Sequence, residues 1–71
     1  MIDLEAEIQR FVRVRYQGVF DRVHRSHARR PVAQVRQAIL DELRQAGTTP
    51  RQDLVEAAAA AIAAGTPYTL P

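Results

Sequence analysis

Phe11-Val-Arg-Val-Arg-Tyr-Gln-Gly-Val-Phe-Asp-Arg-Val23 reads two ways, and the choice between them decides the fold. Phe11 to Tyr16 alternates apolar and basic residues as a half-buried strand does. Gln17-Gly18 would then turn the chain into a second strand, Val19 to Val23. The same residues also fit a helix. At about 100° per residue, Leu4, Ile8, Phe11, Val12, Tyr16, Val19, Phe20 and Val23 fall within one half of the wheel. Arg10, Arg13, Asp21, Arg22 and Arg25 occupy the other half. Val14 on the polar side and Arg15 on the apolar side break the stripe. A lone two-stranded ribbon is weak in water, so the helix is expected, over residues 3–27. Gly18 is its weak point: a mid-helix glycine costs about 1 kcal/mol against alanine and marks a kink or a site of close packing.

Two more helices follow from the punctuation downstream. Pro31 ends the first segment, because the residue before a proline avoids helical geometry, and it can open the next helix. Val32, Val35, Ile39, Leu40, Leu43 and Ala46 then share one face, with Gln34, Gln37, Asp41, Arg44 and Gln45 opposite. Gly47 follows as the C-terminal cap, which gives a helix over 32–46. Thr49, Pro50 and Gln52 form a Thr-x-x-Gln capping box with proline at the first helical position, so a third helix is expected over 50–64. Leu54, Val55, Ala58, Ala61 and Ile62 are its core candidates, and Gly65 stops it. The tail from Thr66 to Pro71 is too proline-rich to be helical. Tyr68 and Leu70 in it either fold back over the core or anchor in a partner, with a disordered end as the alternative. The fold expected is all-α: a compact three-helix domain, residues 1–71, with a short irregular C-terminal tail.

With 71 residues and no cysteine, the chain buries only about 60% of its unfolded surface and has no disulfide or thiolate site to staple it. Self-association is therefore expected to be useful. A homodimer would use apolar positions of the first helix and the small residues of the alanine-rich third. The longest apolar run, Ala57 to Ala64, is too short to span a bilayer, and the acidic start Met1-Ile-Asp-Leu-Glu is unlike a signal peptide. A cytoplasmic protein with no membrane partner is expected. Arginine without any lysine, together with abundant alanine, suits a GC-rich bacterial or phage genome.

Charge is distributed unevenly. Residues 10–36 hold eight of the ten arginines against one acid, Asp21, for a formal +7; residues 1–9 carry −3 and residues 37–71 carry −2. Such a segment attracts polyanions: nucleic acid, an acidic protein surface or anionic lipid. Arg10, Arg13, Arg22, Arg25, Arg29, Arg30 and Arg36 are the candidate phosphate contacts, with Arg29-Arg30 best placed at a helix boundary. Glu7–Arg10 and Asp21–Arg25 have the spacing of helix ion pairs and absorb part of the charge. The acidic first turn and Asp21 weaken a reading of the first helix as a membrane-surface helix.

The second and third helices resemble a helix-turn-helix in outline, in which Arg51 and Gln52 would reach guanine and adenine edges. Asp53 and Glu56 would repel phosphate there, and Ala57 to Ala61 read almost nothing, so an ordinary helical hairpin is preferred. Asp21-x-x-His24-x-x-His27 has metal-type residues, but successive steps of three drift about 60° round a helix, and Arg22 and Arg25 disfavour a cation. Ser26-His27 is not a catalytic arrangement, because helix neighbours do not face one another. No catalytic residue, metal site or cofactor is expected. The function expected is that of a small non-enzymatic accessory or regulatory protein binding nucleic acid through an arginine-rich face. The alternative is an interaction module, an adaptor, inhibitor or assembly factor, that uses the same face on an acidic protein.

Overall fold

The computed structural model describes the backbone from residue 4 to residue 70 and side chains from residue 10 to residue 70. Leu4–His27 is one continuous helix, α1, so the stretch from Phe11 to Val23 is helical rather than a hairpin. Val32–Gln45 forms α2 and Gln52–Ala63 forms α3. There is no strand among the described residues.

The three helices enclose one core. Tyr16, Val19, Phe20 and Val23 of α1, Val35, Ile39 and Leu43 of α2, and Val55, Ala58, Ala59 and Ile62 of α3 are buried. Helical periodicity accounts for nearly all of these, since each set recurs at three- and four-residue spacing on one face. The alanines allow α3 to approach α2 closely, and the α2–α3 contact is the most extensive of the three. Two expected core positions are exposed, Phe11 by 59% and Val32 by 41%; Ala46 and Ala61 are half-buried outside the core, and Ala59 takes the interior place. Leu4 and Ile8 fall outside the described side chains.

Phe11 is exposed because α1 outruns its partners. At 1.5 Å per residue α1 is about 36 Å long and α2 about 21 Å. The radius of gyration is 12.5 Å, with extents of 45 × 21 × 19 Å, against roughly 11 Å for a compact chain of this size. The core begins at Tyr16, with Val12 packed at its edge.

Both predicted glycine caps form as six-residue αL turns. Gly47 (φ 72°) donates to the Arg44 carbonyl while Thr48 N–H donates to Leu43 O at 3.0 Å. Gly65 (φ 86°) donates to Ile62 O while Thr66 N–H donates to Ala61 O at 2.9 Å. Each pair satisfies carbonyls that the helix leaves open.

The start of α3 corrects the capping-box expectation. The helix begins at Gln52, with Arg51 extended before it (φ −98°, ψ 115°) and no side-chain cap. The Tyr16 hydroxyl decides this. It donates to the Thr49 carbonyl and accepts from the Arg51 amide at 3.1 Å, so it ties Thr49-Pro50-Arg51 to α1 as an extended strap. The first helical bond is Val55 N–H to Arg51 O at 2.9 Å.

The tail folds back over the core. Gln17 Nε2 donates to Tyr68 O at 2.8 Å and Gln17 Oε1 accepts from Leu70 N–H at 2.9 Å, so one side-chain amide holds both partners of the tail backbone. The Tyr68 ring meets Phe20 edge-on at 5.5 Å between centroids.

Candidate nucleic-acid interface

The structure divides the arginines of the basic segment into three groups. The first is spent on the fold itself. Arg22 Nη2 reaches Glu42 Oε2 at 3.1 Å, joining α1 to α2. Arg36 joins α2 to α3, with Nε 2.7 Å from Glu56 Oε1 and Nη2 3.0 Å from Oε2. Arg51, outside that segment, lies 3.3 Å from Asp53 Oδ2. Arg15, which breaks the apolar stripe, also serves the fold. Its Nη1 donates to the Ala46 carbonyl at 2.8 Å, capping the C-terminal end of α2, and its guanidinium covers the Phe11 ring at 4.8 Å. All these side chains are more than a third exposed or close to it, so each ion pair contributes at most about 1 kcal/mol.

The second group, Arg10 and Arg13, lies at the start of the described side chains, on the uncovered half of α1. Both are exposed, and Arg13 has an interaction of its own. The third group, Arg25, Arg29 and Arg30, sits at the corner where α1 gives way to α2. Arg25, Arg29 and Arg30 are all exposed, and none of the three is ion-paired with an acid among the described residues. The expected Asp21–Arg25 pair does not form: Asp21 Oδ1 instead accepts from Gln17 Nε2 at 2.9 Å, one turn in the other direction. The Glu7–Arg10 expectation involves a side chain outside those described. Arg10 and Arg25 are fifteen residues apart, about 22 Å along the helix, so the basic residues do not form one continuous face.

The corner has an unusual backbone. Arg29 has φ 67°, in the left-handed region where a residue with a Cβ costs roughly 1–2 kcal/mol. It holds the position a glycine takes after α2 and α3. Its amide does not turn back on α1 but donates to Ile62 O of α3 at 3.0 Å, while Arg30 N–H closes the turn on His27 O at 3.1 Å. Residues 28–31 contain no glycine, so no local signal marks this conformation. The α2 N-terminus opens beside it, with Pro31 before the first helical residue, no side-chain cap and no acid in its first turn. The free N–H groups of such an end favour an anion. The same place also receives the C-terminal ends of α1 and α3, which favour nearby cations and give these arginines a role in the fold as well.

An open groove between α1 and α2, of about 470 Å³, adjoins this corner and is lined by Ser26, His27, Gln34, Gln37, Asp41 and Glu42 among others. Its carboxylates repel phosphate and bound the basic surface on that side. Ser26 Oγ lies 2.6 Å from His27 Nδ1, so these neighbours do meet, contrary to the expectation from helix geometry. The contact is possible because Nδ1 is the ring nitrogen nearer the backbone. Ser26 Oγ also sits 3.2 Å from the Arg22 carbonyl. Asp21 is bound to Gln17, and His24 Nε2 is buried with no hydrogen-bond partner. Among the described residues no cluster of three metal-type side chains converges.

Of the helix-turn-helix candidates, Gln52 is exposed but Arg51 is tied to Asp53, and the strap before them is packed against Tyr16. No helix among the described residues is long and apolar enough to cross a membrane. Comparison of the chain with protein-family models, with curated proteins and with solved structures returns no match.

Proposed function

We propose that this chain is a small non-enzymatic accessory or regulatory protein that binds nucleic acid through the arginine corner of Arg25, Arg29 and Arg30, with Arg10 and Arg13 as outlying contacts. The observation that carries the reading is the corner itself: three guanidinium groups without an ion pair to a described acid, beside an uncapped helix N-terminus. Phosphate oxygens supply the charge that both features lack. Contacts of this kind position a protein on the backbone and carry no base preference, so the binding is sequence-tolerant and strongly salt-dependent.

Fluorescence anisotropy with a labelled duplex over a series of salt concentrations tests this. Three phosphate contacts give a log–log slope of about −3 on duplex DNA, about −0.9 for each. Arg29→Gly with Arg30→Ala removes two charges, and glycine at position 29 does so without straining the backbone; the slope falls by about 2 in magnitude. Arg36→Ala, which touches an arginine already held by Glu56, leaves the slope nearly unchanged. Absence of binding at low salt would overturn the proposal.

A second reading, an interaction module for an acidic protein surface, draws on Phe11 and Val14, which are 59% and 66% exposed beside Arg10 and Arg15. Tyr68 and Leu70 do not support it, because the tail is folded onto the core. It expects a protein that co-purifies at fixed stoichiometry after nuclease treatment.

A further inference from the structure

We propose that the outer face of α1 takes a second copy of this chain, laid antiparallel, with Phe11 of each copy entering the notch over Gly18 of the other. The proposal is independent of the nucleic-acid reading. It begins with two exposed apolar side chains of α1, Val14 and Phe11, the latter at the mouth of a groove shared with Tyr16, Gly47 and Thr49. Gly18 stands one turn beyond Val14 along the same face, and Val14 one turn beyond Phe11.

Gly18 has no explanation within one copy. A Cβ built there meets only the end of the Arg22 side chain, at 3.7 Å, an ordinary contact. Its helical backbone does not require glycine, whereas Gly47 and Gly65 have positive φ. A glycine in the middle of a 24-residue helix weakens that helix, and here nothing in the monomer compensates. A second helix approaching over Gly18 supplies the missing reason, because the absent side chain leaves room for a knob on the facing helix.

Charge commits the occupant and its direction. The first nine residues carry a formal −3, while Arg25 and Arg22 lie further along the same helix; Arg22 holds Glu42 through Nε and Nη2 and keeps Nη1 on the Gly18 side. Setting Phe11 opposite Gly18 in antiparallel order places Glu7 of each copy level with Arg22 of the other, and Leu4 level with Arg25. Asp21, already held by Gln17, is the only acid in the opposing stretch from residue 10 to residue 36. A parallel pair would instead set Glu7 beside Glu7 and Arg10 beside Arg10. A second copy thus brings both the apolar knob and the complementary charge that this face calls for.

Sedimentation equilibrium without nucleic acid, over a wide range of protein concentration, is the first arm of the test. The wild-type chain is expected to pass from monomer to dimer, with the association weakened by salt. Gly18→Leu fills the notch, and its Cβ meets only the end of the Arg22 side chain, so it should stay monomeric while keeping its helical circular dichroism. The chain has no cysteine, which permits a second arm. Mixed Glu7→Cys and Arg22→Cys chains should form a disulfide heterodimer on mild oxidation faster than Glu7→Cys alone forms a homodimer. A monomeric wild type at every concentration, a Gly18→Leu chain that dimerises equally well, or preferential Glu7→Cys self-coupling would each overturn the proposal. Capture of a different protein on this face by a chain that stays monomeric belongs to the first of these results.

Discussion

Arg29 lies across Gly65: a Cβ placed on Gly65 would stand 2.8 Å from Arg29 Nε and 3.0 Å from its Cγ. Both residues have positive φ, and both follow helices, α1 and α3, whose ends meet there. The Arg29 amide fastens the same junction through Ile62 O. The glycine therefore answers two demands at once, its own backbone and the side chain above it.

Gly65→Ala is expected to lose more stability than Gly47→Ala. Both place a Cβ at positive φ, which costs about 1 kcal/mol or more. Only Gly65 adds a close approach, since nothing lies within 4 Å of the corresponding position at Gly47. Urea unfolding of the two variants measures the difference; an equal loss would show that Arg29 moves aside freely.

Tyr16→Phe removes the hydroxyl that holds the strap before α3. The Thr49 carbonyl and the Arg51 amide lose their shared partner, at an expected cost of about 1–3 kcal/mol. Thr49→Ala should be nearly silent, because no side-chain cap is made at the start of α3. The reverse ranking in chemical denaturation would restore the capping box.

Ile39→Ala and Leu43→Ala open space among fully buried side chains and should each cost roughly 2–5 kcal/mol. In so small a domain either change can unfold the chain. Gln37→Ala and Gln45→Ala, on the outer side of α2, should shift the thermal midpoint little. Equal shifts from the two sets would contradict the packing of α2.

Gln17→Ala releases the tail. Its amide serves both Tyr68 O and Leu70 N–H, so the loss should be visible as faster hydrogen exchange at the Leu70 amide. Tyr68 should also separate from Phe20, giving a change in tyrosine fluorescence or ring chemical shifts. Unchanged exchange at Leu70 would mean that ring packing alone holds the tail.

The helices and their C-terminal ends were legible in the sequence because they rest on local chemistry. Apolar spacing along one chain segment places Tyr16, Val19, Phe20 and Val23 on one face, and glycine marks the left-handed turns at 47 and 65. What the arginines do depends instead on contacts between distant segments. Arg15 meets Ala46 across 31 residues, Tyr16 meets Thr49 across 33, and Gln17 meets Tyr68 across 51. No periodicity encodes such pairings, since they exist only once three helices of unequal length have packed. That packing alone decided which arginines are bound to Glu42 and Glu56 and which stand without an acid at the corner. It also left Phe11 uncovered, because α1 continues beyond the ends of the helices that bury the rest of its apolar face.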